Sequence, residues 1–267
     1  MFRDDILVIA AAAKSKADFF RSSKLKYFIA AALAGLFVGF GVLAMSTVGG
    51  VLTNVGHPMT KLLNAFVFPV ALSLVIFAGS ELFTGNTFVM TVGVLEKRVS
   101  MSDLLGVWIL AYIGNLAGSF LCAAAFIGTG LASGDTLSFI LSTAQTKMTL
   151  TIPQLILRGI LCNILVCLAV WCSNRMKSES GKLILIFWCI FTFVICGFEH
   201  SVANMTMLSL GVLLPHEGMS ISVWGFVYNL LFVSLGNTIG GAVTVALPYY
   251  LIAKHDGDDR KQEKLSR

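Results

Sequence analysis

Charge is scarce in this chain. Asp, Glu, Lys and Arg together make up 12% of its 267 residues, while 57% are hydrophobic; soluble domains carry about 25% charged residues. Water is thereby excluded as the main solvent. Tyr27 to Val48, Leu104 to Ala132 and Val223 to Ala253 hold no charged side chain at all. Each is long enough to cross a hydrocarbon core of about 30 Å, which takes about 20 helical residues. A cleavable signal is not expected, because Arg3, Asp4 and Asp5 come first and the first long apolar run begins only near Tyr27. The cysteines (Cys122, Cys162, Cys167, Cys172, Cys189 and Cys196) include no Cys-x-x-Cys pair and have no histidine at ligand spacing. They read as small buried hydrophobes, and no metal or cofactor is expected. No Gly-x-Ser-Gly nucleophile motif occurs, which argues against an intramembrane serine protease, and the chain is expected not to be an enzyme. Nor is there an Asn-Pro-Ala box of the kind an aquaporin-type channel needs, which leaves a neutral-solute channel as the alternative reading.

Three more stretches are nearly as apolar. Leu62 to Leu95 is interrupted only by Glu81, Met148 to Ser173 only by Arg158, and Leu183 to Pro215 only by Glu199 and His200. The total is six spans. Ile6 to Phe20 reads as an amphipathic helix on the membrane surface with Lys14, Lys16 and Arg21 facing headgroups, or equally as a cap packed under the bundle. Sixteen of the Lys and Arg residues fall before Lys26 inclusive, at 97–98, at 175–182 and after Ala253; only Lys61, Lys147 and Arg158 fall on the other side. The positive-inside rule then puts both termini in the cytoplasm, in the inner (plasma) membrane. Anchoring to anionic lipid accounts for the net charge of +5, with no nucleic-acid partner.

The two halves repeat. The second span holds "AGSELFTGNT" and the fifth "CGFEHSVANM", so Gly79, Glu81 and Asn86 correspond to Gly197, Glu199 and Asn204. Span three carries "GNLAG" from Gly114 and span six "GNTIG" from Gly236; the offsets are 197 − 79 = 118 and 236 − 114 = 122. Two signatures in one order at nearly one offset indicate a duplicated three-span unit. An odd repeat must insert upside down, which brings the middles of spans two and five face to face. Those two spans are longer than one crossing needs, and each has Gly and a carboxylate at its centre. Gly79 to Asn86 and Gly197 to Asn204 are therefore expected to be unwound loops at mid-membrane depth, each joining two half-helices. The fold expected is an all-α membrane protein of six transmembrane helices in two inverted three-helix repeats, with spans two and five broken. Its parts are an N-terminal segment 1–26, a channel domain 27–253 (repeats at about 27–132 and 148–253) and a cytoplasmic tail 254–267.

Several residues stand out against this frame. Ionisable groups at membrane depth mark pathways, so His200 points to a pore, against a structural histidine bonded to unwound backbone. Glu81 and Glu199, at matching positions, suit a scaffold role accepting backbone N–H groups; cation binding lacks further oxygen ligands. Asn86, Asn163 and Asn204 can donate to an anion or tie helices together. Lys147 is either a solvated loop residue or one that folds back into the pore mouth. Thr84 offers a hydroxyl opposite His200, or a helix cap. Leu82, Phe83 and Phe193 flank the breaks and can gate by dewetting, or simply pack.

At these motifs the chain resembles the formate/nitrite transporter family, through Leu82-Phe83-Thr84, Gly197-Phe198-Glu199-His200-Ser201, Ala203-Asn204-Met205 and the two Gly-Asn motifs. The resemblance covers all six spans. It implies an aquaporin-like fold, a homopentamer in membrane lipid with one pore per protomer, and a small anion as substrate. It further implies that Thr84, His200, Asn163 and Asn204 form the pore centre. Leu82, Leu72 and Val166 would make one constriction and Phe68, Phe83 and Phe193 the other, with Lys147 in the vestibule and Glu199 supporting it or the loop. The "SELFTGNT" loop is similar to the nitrite and hydrosulfide branches, and hydrosulfide is the anion expected first, with nitrite or formate as the other choices. In this reading Lys147 and half-helix N-termini attract the anion, and His200 donates a proton or a strong hydrogen bond so that a nearly neutral species crosses the apolar slits.

Overall fold

The computed structural model describes residues 2–254, so the tail expected beyond Lys254 lies outside the described residues. Among the described residues all regular structure is helical. Six helices are long and apolar enough to cross a membrane, matching the six spans. Span one is α2 (Lys24–Asn54), followed by α3 (Thr60–Val67) and α4 (Val70–Phe77), which join at Pro69, then α5 (Phe83–Leu95) and α6 (Met101–Gly128). The connection to the second half is itself a helix, α7 (Gly134–Met148). Span four is α8 (Ile152–Arg175); α9 (Glu179–Cys196) and α10 (Ser201–Leu213) make span five. Span six is α11 (Val223–Gly241), continued through a π-helical turn, Ala242–Ala246.

The N-terminal helix α1 (Arg3–Ser22) settles the choice left open by its sequence. Ile6, Ile9, Ala10, Ala13 and Ala17 form one buried face against α5 and the ends of α2, α6 and α8, the i, i+3, i+4, i+7 stripe of a helix with a partner. It is a cap packed under the bundle. Lys16 does not face headgroups, as the surface-helix reading had it, and Arg21, which stays exposed, is tied to the bundle on one side. Lys16 pairs with Glu81, and Arg21 with Asp103, a hydrogen-bonded carboxylate that pushes the Arg21 pKa further up. Lys14 pairs with Asp18 on the exposed face. Arg3 binds Glu96 and Asp5 binds Arg175, so charges along the whole helix reach the bundle.

Within each half, span one packs along span three and span four along span six. Both seams close on small residues. A Cβ at Gly118 would land on the Ala32 carbonyl oxygen, and one at Gly240 would sit 2.6 Å from that of Ile160. The Gly-Asn motifs are thus small-xxx-small contacts, which let backbones touch where lipid supplies no hydrophobic drive.

The breaks are shorter than expected. Only 78–82 and 197–200 leave the helix; Phe83 and Ser201 already begin the second half-helices. The reason is capping from a distance, because span three and span six each insert a carboxamide that satisfies the first amide of the half-helix.

Candidate functional site

The two breaks are built alike, from residues upward. Gly79 and Gly197 turn the chain with φ of 77° and 76°, the left-handed region open to glycine without strain. Two residues on, Glu81 N–H donates to the Ala30 carbonyl at 3.2 Å and Glu199 N–H to that of Arg158 at 3.3 Å. Asn115 then accepts from Phe83 N–H at 2.9 Å and donates to the carbonyls of Ala31 and Glu81 at 2.7 and 2.9 Å. Asn237 does the same for Ser201, Gly159 and Glu199 at 2.9, 2.8 and 3.0 Å. Each carboxamide therefore satisfies the two backbone groups that the break orphans, the first amide of the half-helix and the glutamate carbonyl, and ties them to a carbonyl of a continuous neighbouring helix. The sequence motif was visible, but not this task.

The buried carboxylates accept from side chains, not from backbone amides as expected. Glu199 receives Lys147 Nζ at 2.9 and 2.8 Å and Asn204 Nδ2 at 2.6 Å. Asn204 also donates to Asn229 Oδ1 at 2.8 Å, and Asn229 donates to the Lys147 carbonyl at 2.9 Å. Glu81 receives Lys16 Nζ at 2.7 and 2.8 Å, the Tyr27 hydroxyl at 2.7 Å and Asn86 Nδ2 at 3.0 Å. Lys147 is therefore not a solvated loop residue. It ends α7, which leads into span four as α1 leads into span one, and Lys16 is its counterpart. Lys16, Tyr27 and Asn229 were missed in the sequence. The repeat itself held a signal for Lys16, since a lysine precedes the first span of each half.

Three cavities adjoin one another through shared walls. A space of ≈ 470 Å³ on the α1 side is walled by Lys16, Glu81, Asn86, Leu72 and Leu82. One of ≈ 170 Å³ on the α7 side is walled by Lys147, Glu199, Asn204, Phe68, Phe193 and His200. Between them a chamber of ≈ 10 Å³, about the room of one water, touches Leu72, Leu82 and Val166 as well as Phe68, Phe193 and His200. Leu72 and Leu82 thus separate the chamber from one vestibule, and Phe68 and Phe193 from the other. Phe83 is not part of the second ring. It packs edge-on against Tyr112, centroids 5.0 Å apart.

His200 is the chamber's polar wall and is 5% exposed. Its Nδ1 accepts from Ala203 N–H at 3.1 Å, and its Nε2 lies 3.0 Å from Thr84 Oγ1. A nitrogen that accepts carries no proton, so the capping bond fixes a neutral ring with Nε2–H directed at Thr84. Phe193 stacks on the imidazole at 5.9 Å. Thr84 is not the cap of its half-helix, since Asn115 serves there. Nor is it the repeat partner of His200: the 118-residue offset carries Leu82 onto His200 and Thr84 onto Val202. Asn163 sits behind Thr84, donating to its carbonyl at 3.2 Å, and lines none of the three cavities.

Residues 4–251 match the family model described as formate/nitrite transporter. Over 252 residues the chain is 38% identical to the nitrite transporter NirC of Salmonella typhimurium, covering 94% of this chain and 91% of that one. Among solved structures it is similar to an FNT family ion channel, with TM-score 0.87, 35% identity and coverage of 93% and 98%. It is also similar to a pentameric formate channel with formate bound, with TM-score 0.77, 28% identity and coverage of 87% and 98%.

Proposed function

The chain belongs to the formate/nitrite transporter family, whose members are transporters and channels for small anions and not enzymes, and from that premise we propose that it conducts the anion of a weak acid through the chamber at His200. The observation that carries this reading is the run of three adjoining cavities, with a lysine–glutamate pair in each outer space and one polar wall in the middle. Lys147 and Lys16 draw an anion into the vestibules, and Glu199 and Glu81 hold the ammonium groups in place while tempering their charge. An anion bound outright by a free lysine would not leave. A bare ion entering the apolar chamber would lose hydration worth of order 20 kcal/mol, whereas a weak acid sheds most of that on taking up a proton. His200 contributes its Nε2–H as a hydrogen-bond donor to the crossing species, in exchange for Thr84. Because Nδ1 is committed to Ala203, the neutralising proton comes from vestibule water.

Relatives named for nitrite and formate support the class of substrate. Within it we place hydrosulfide first. It belongs to the weakest acid of the three, so it takes up a proton at least cost, and it fits a space of ≈ 10 Å³ with least displacement. Likeness to a pentameric channel supports a homopentamer, and the Lys/Arg asymmetry supports a plasma-membrane orientation with α1 and the termini on the cytoplasmic side. Side-by-side influx of hydrosulfide, nitrite and formate into liposomes tests the proposal. Hydrosulfide is expected fastest, and water permeation without any anion flux would favour the aquaporin-type alternative.

A further inference from the structure

The carbonyl of Thr84 is held in a way its repeat partner is not. It accepts from Thr87 Oγ1 at 2.6 Å, from Asn163 Nδ2 at 3.2 Å and from the Cys167 thiol at 3.6 Å. The matching carbonyl, Val202, receives one long side-chain donor, Ser119 Oγ at 3.5 Å. Asn163 Nδ2 also meets Thr87 Oγ1 at 2.9 Å and the Asn237 carbonyl at 2.6 Å, so Thr87 and Asn163 close into one set. Both are fully buried, and neither lines a cavity along the path.

The set exists because Gly241 makes room for it. A Cβ at Gly241 would fall on Thr87 Oγ1 and lie 2.9 Å from Asn163 Nδ2 and 3.0 Å from Cys167 Sγ. Directly after it, span six widens into the π-helical turn Ala242–Ala246, a feature that is costly to keep and frequent at functional sites. Buried hydroxyls and carboxamides often serve as plain glue between membrane helices. Glue does not explain why three side-chain donors gather on the one carbonyl whose residue also meets His200, while the equivalent carbonyl in the other half receives one.

We infer that Thr87 and Gly241, acting with Asn163, are positioning residues: they fix the backbone of Thr84 so that its hydroxyl stands at hydrogen-bond distance from His200. The inference rests on the proposed role of the Thr84–His200 pair. Fixing one peptide plane fixes its Cα–Cβ direction, and hence where the Thr84 hydroxyl waits when His200 releases it to a crossing anion. Preorganisation of this kind acts through geometry and needs no contact with the permeant.

A double-mutant cycle tests it, with nitrite influx into liposomes holding equal amounts of the full-length assembled protein. Thr84→Val and Thr87→Val are each expected to lower flux about tenfold, the effect of about one buried hydrogen bond. The double variant should be no slower than the slower single one, because Thr87 acts only through Thr84, and Thr87→Ser should restore most of the flux. Wild-type flux in Thr87→Val, or losses that multiply in the double variant, would overturn the clamp. Wild-type flux in Thr84→Val would instead remove the role of the Thr84–His200 pair, and the inference with it. If Thr87→Val does not assemble, Gly241→Ala carries the test: a loss that Thr84→Val does not deepen supports the clamp, and wild-type flux refutes it.

Discussion

Leu82 and His200 occupy the same place in the two repeats, each one residue after a buried glutamate and one before a half-helix, yet they do opposite things. Leu82 closes the chamber with an apolar side chain, and its half-helix has no side-chain cap at that position. His200 caps its own half-helix through Nδ1 and turns Nε2 toward the chamber. Pseudo-symmetry builds the frame, and its violation at this pair supplies the one polar wall. An anion arriving from the α1 side therefore meets the apolar pair Leu72 and Leu82 before His200, whereas one from the α7 side meets His200 together with Phe68 and Phe193.

Replacing that donor should change transport and leave the fold. In His200→Asn the carboxamide is shorter, so it cannot both cap Ala203 and reach Thr84. We expect normal assembly and flux reduced about 10- to 100-fold for the loss of 1–3 kcal/mol of hydrogen bonding, with the dependence of flux on pH kept, because the neutralising proton comes from water and not from His200. Influx measured across a pH series checks this, and wild-type flux in the variant would refute the role of His200 as donor.

The lysine–glutamate pairs predict a split between binding and stability. Lys147→Met leaves Glu199 buried and unpaired, which should cost about 3–5 kcal/mol and lower the thermal midpoint of the assembly. Lys147→Met with Glu199→Gln should recover much of that stability, but not the anion attraction. Flux at low anion concentration should stay reduced and lose its dependence on ionic strength. Lys16→Met with Glu81→Gln is expected to act the same way from the α1 side.

The carboxamides that fasten the breaks should be indispensable. Asn115→Ala and Asn237→Ala each strand two backbone groups at a break and cut the tie to a neighbouring helix, at about 1–3 kcal/mol for each stranded group. Neither variant is expected to yield assembled protein. Asn115→Asp keeps the acceptor for Phe83 and loses both donors, so it should fall between, as size-exclusion profiles in detergent would show.

Much of this architecture could be read from the chain, because the bilayer imposes its demands span by span. Long charge-free runs mark the crossings, and Gly79 and Gly197 mark the turns that no side chain could make as easily. Less legible was whatever is fixed by partners far along the chain. Asn115 and Asn237 cap amides 32 and 36 residues away, so the breaks looked longer than they are. Phe83 looked like a gate because it sits beside one, and only tertiary contact shows it turned to Tyr112. Asn163 has the chemistry of a pore residue, but its amide is committed to Thr84, Thr87 and Asn237. The periodicity of α1 suits lipid and protein equally, which hid the pairing of Lys16 with Glu81.

In this channel the anion crosses at the chamber between Leu82 and His200 and nowhere else. Val166 borders that chamber without lining either vestibule, and Val166→Phe adds more volume than the ≈ 10 Å³ it holds. Hydrosulfide influx into liposomes carrying this variant, confirmed as assembled, is the direct measurement. Flux at the level of empty liposomes is expected; flux equal to wild type would mean that the permeation path lies elsewhere.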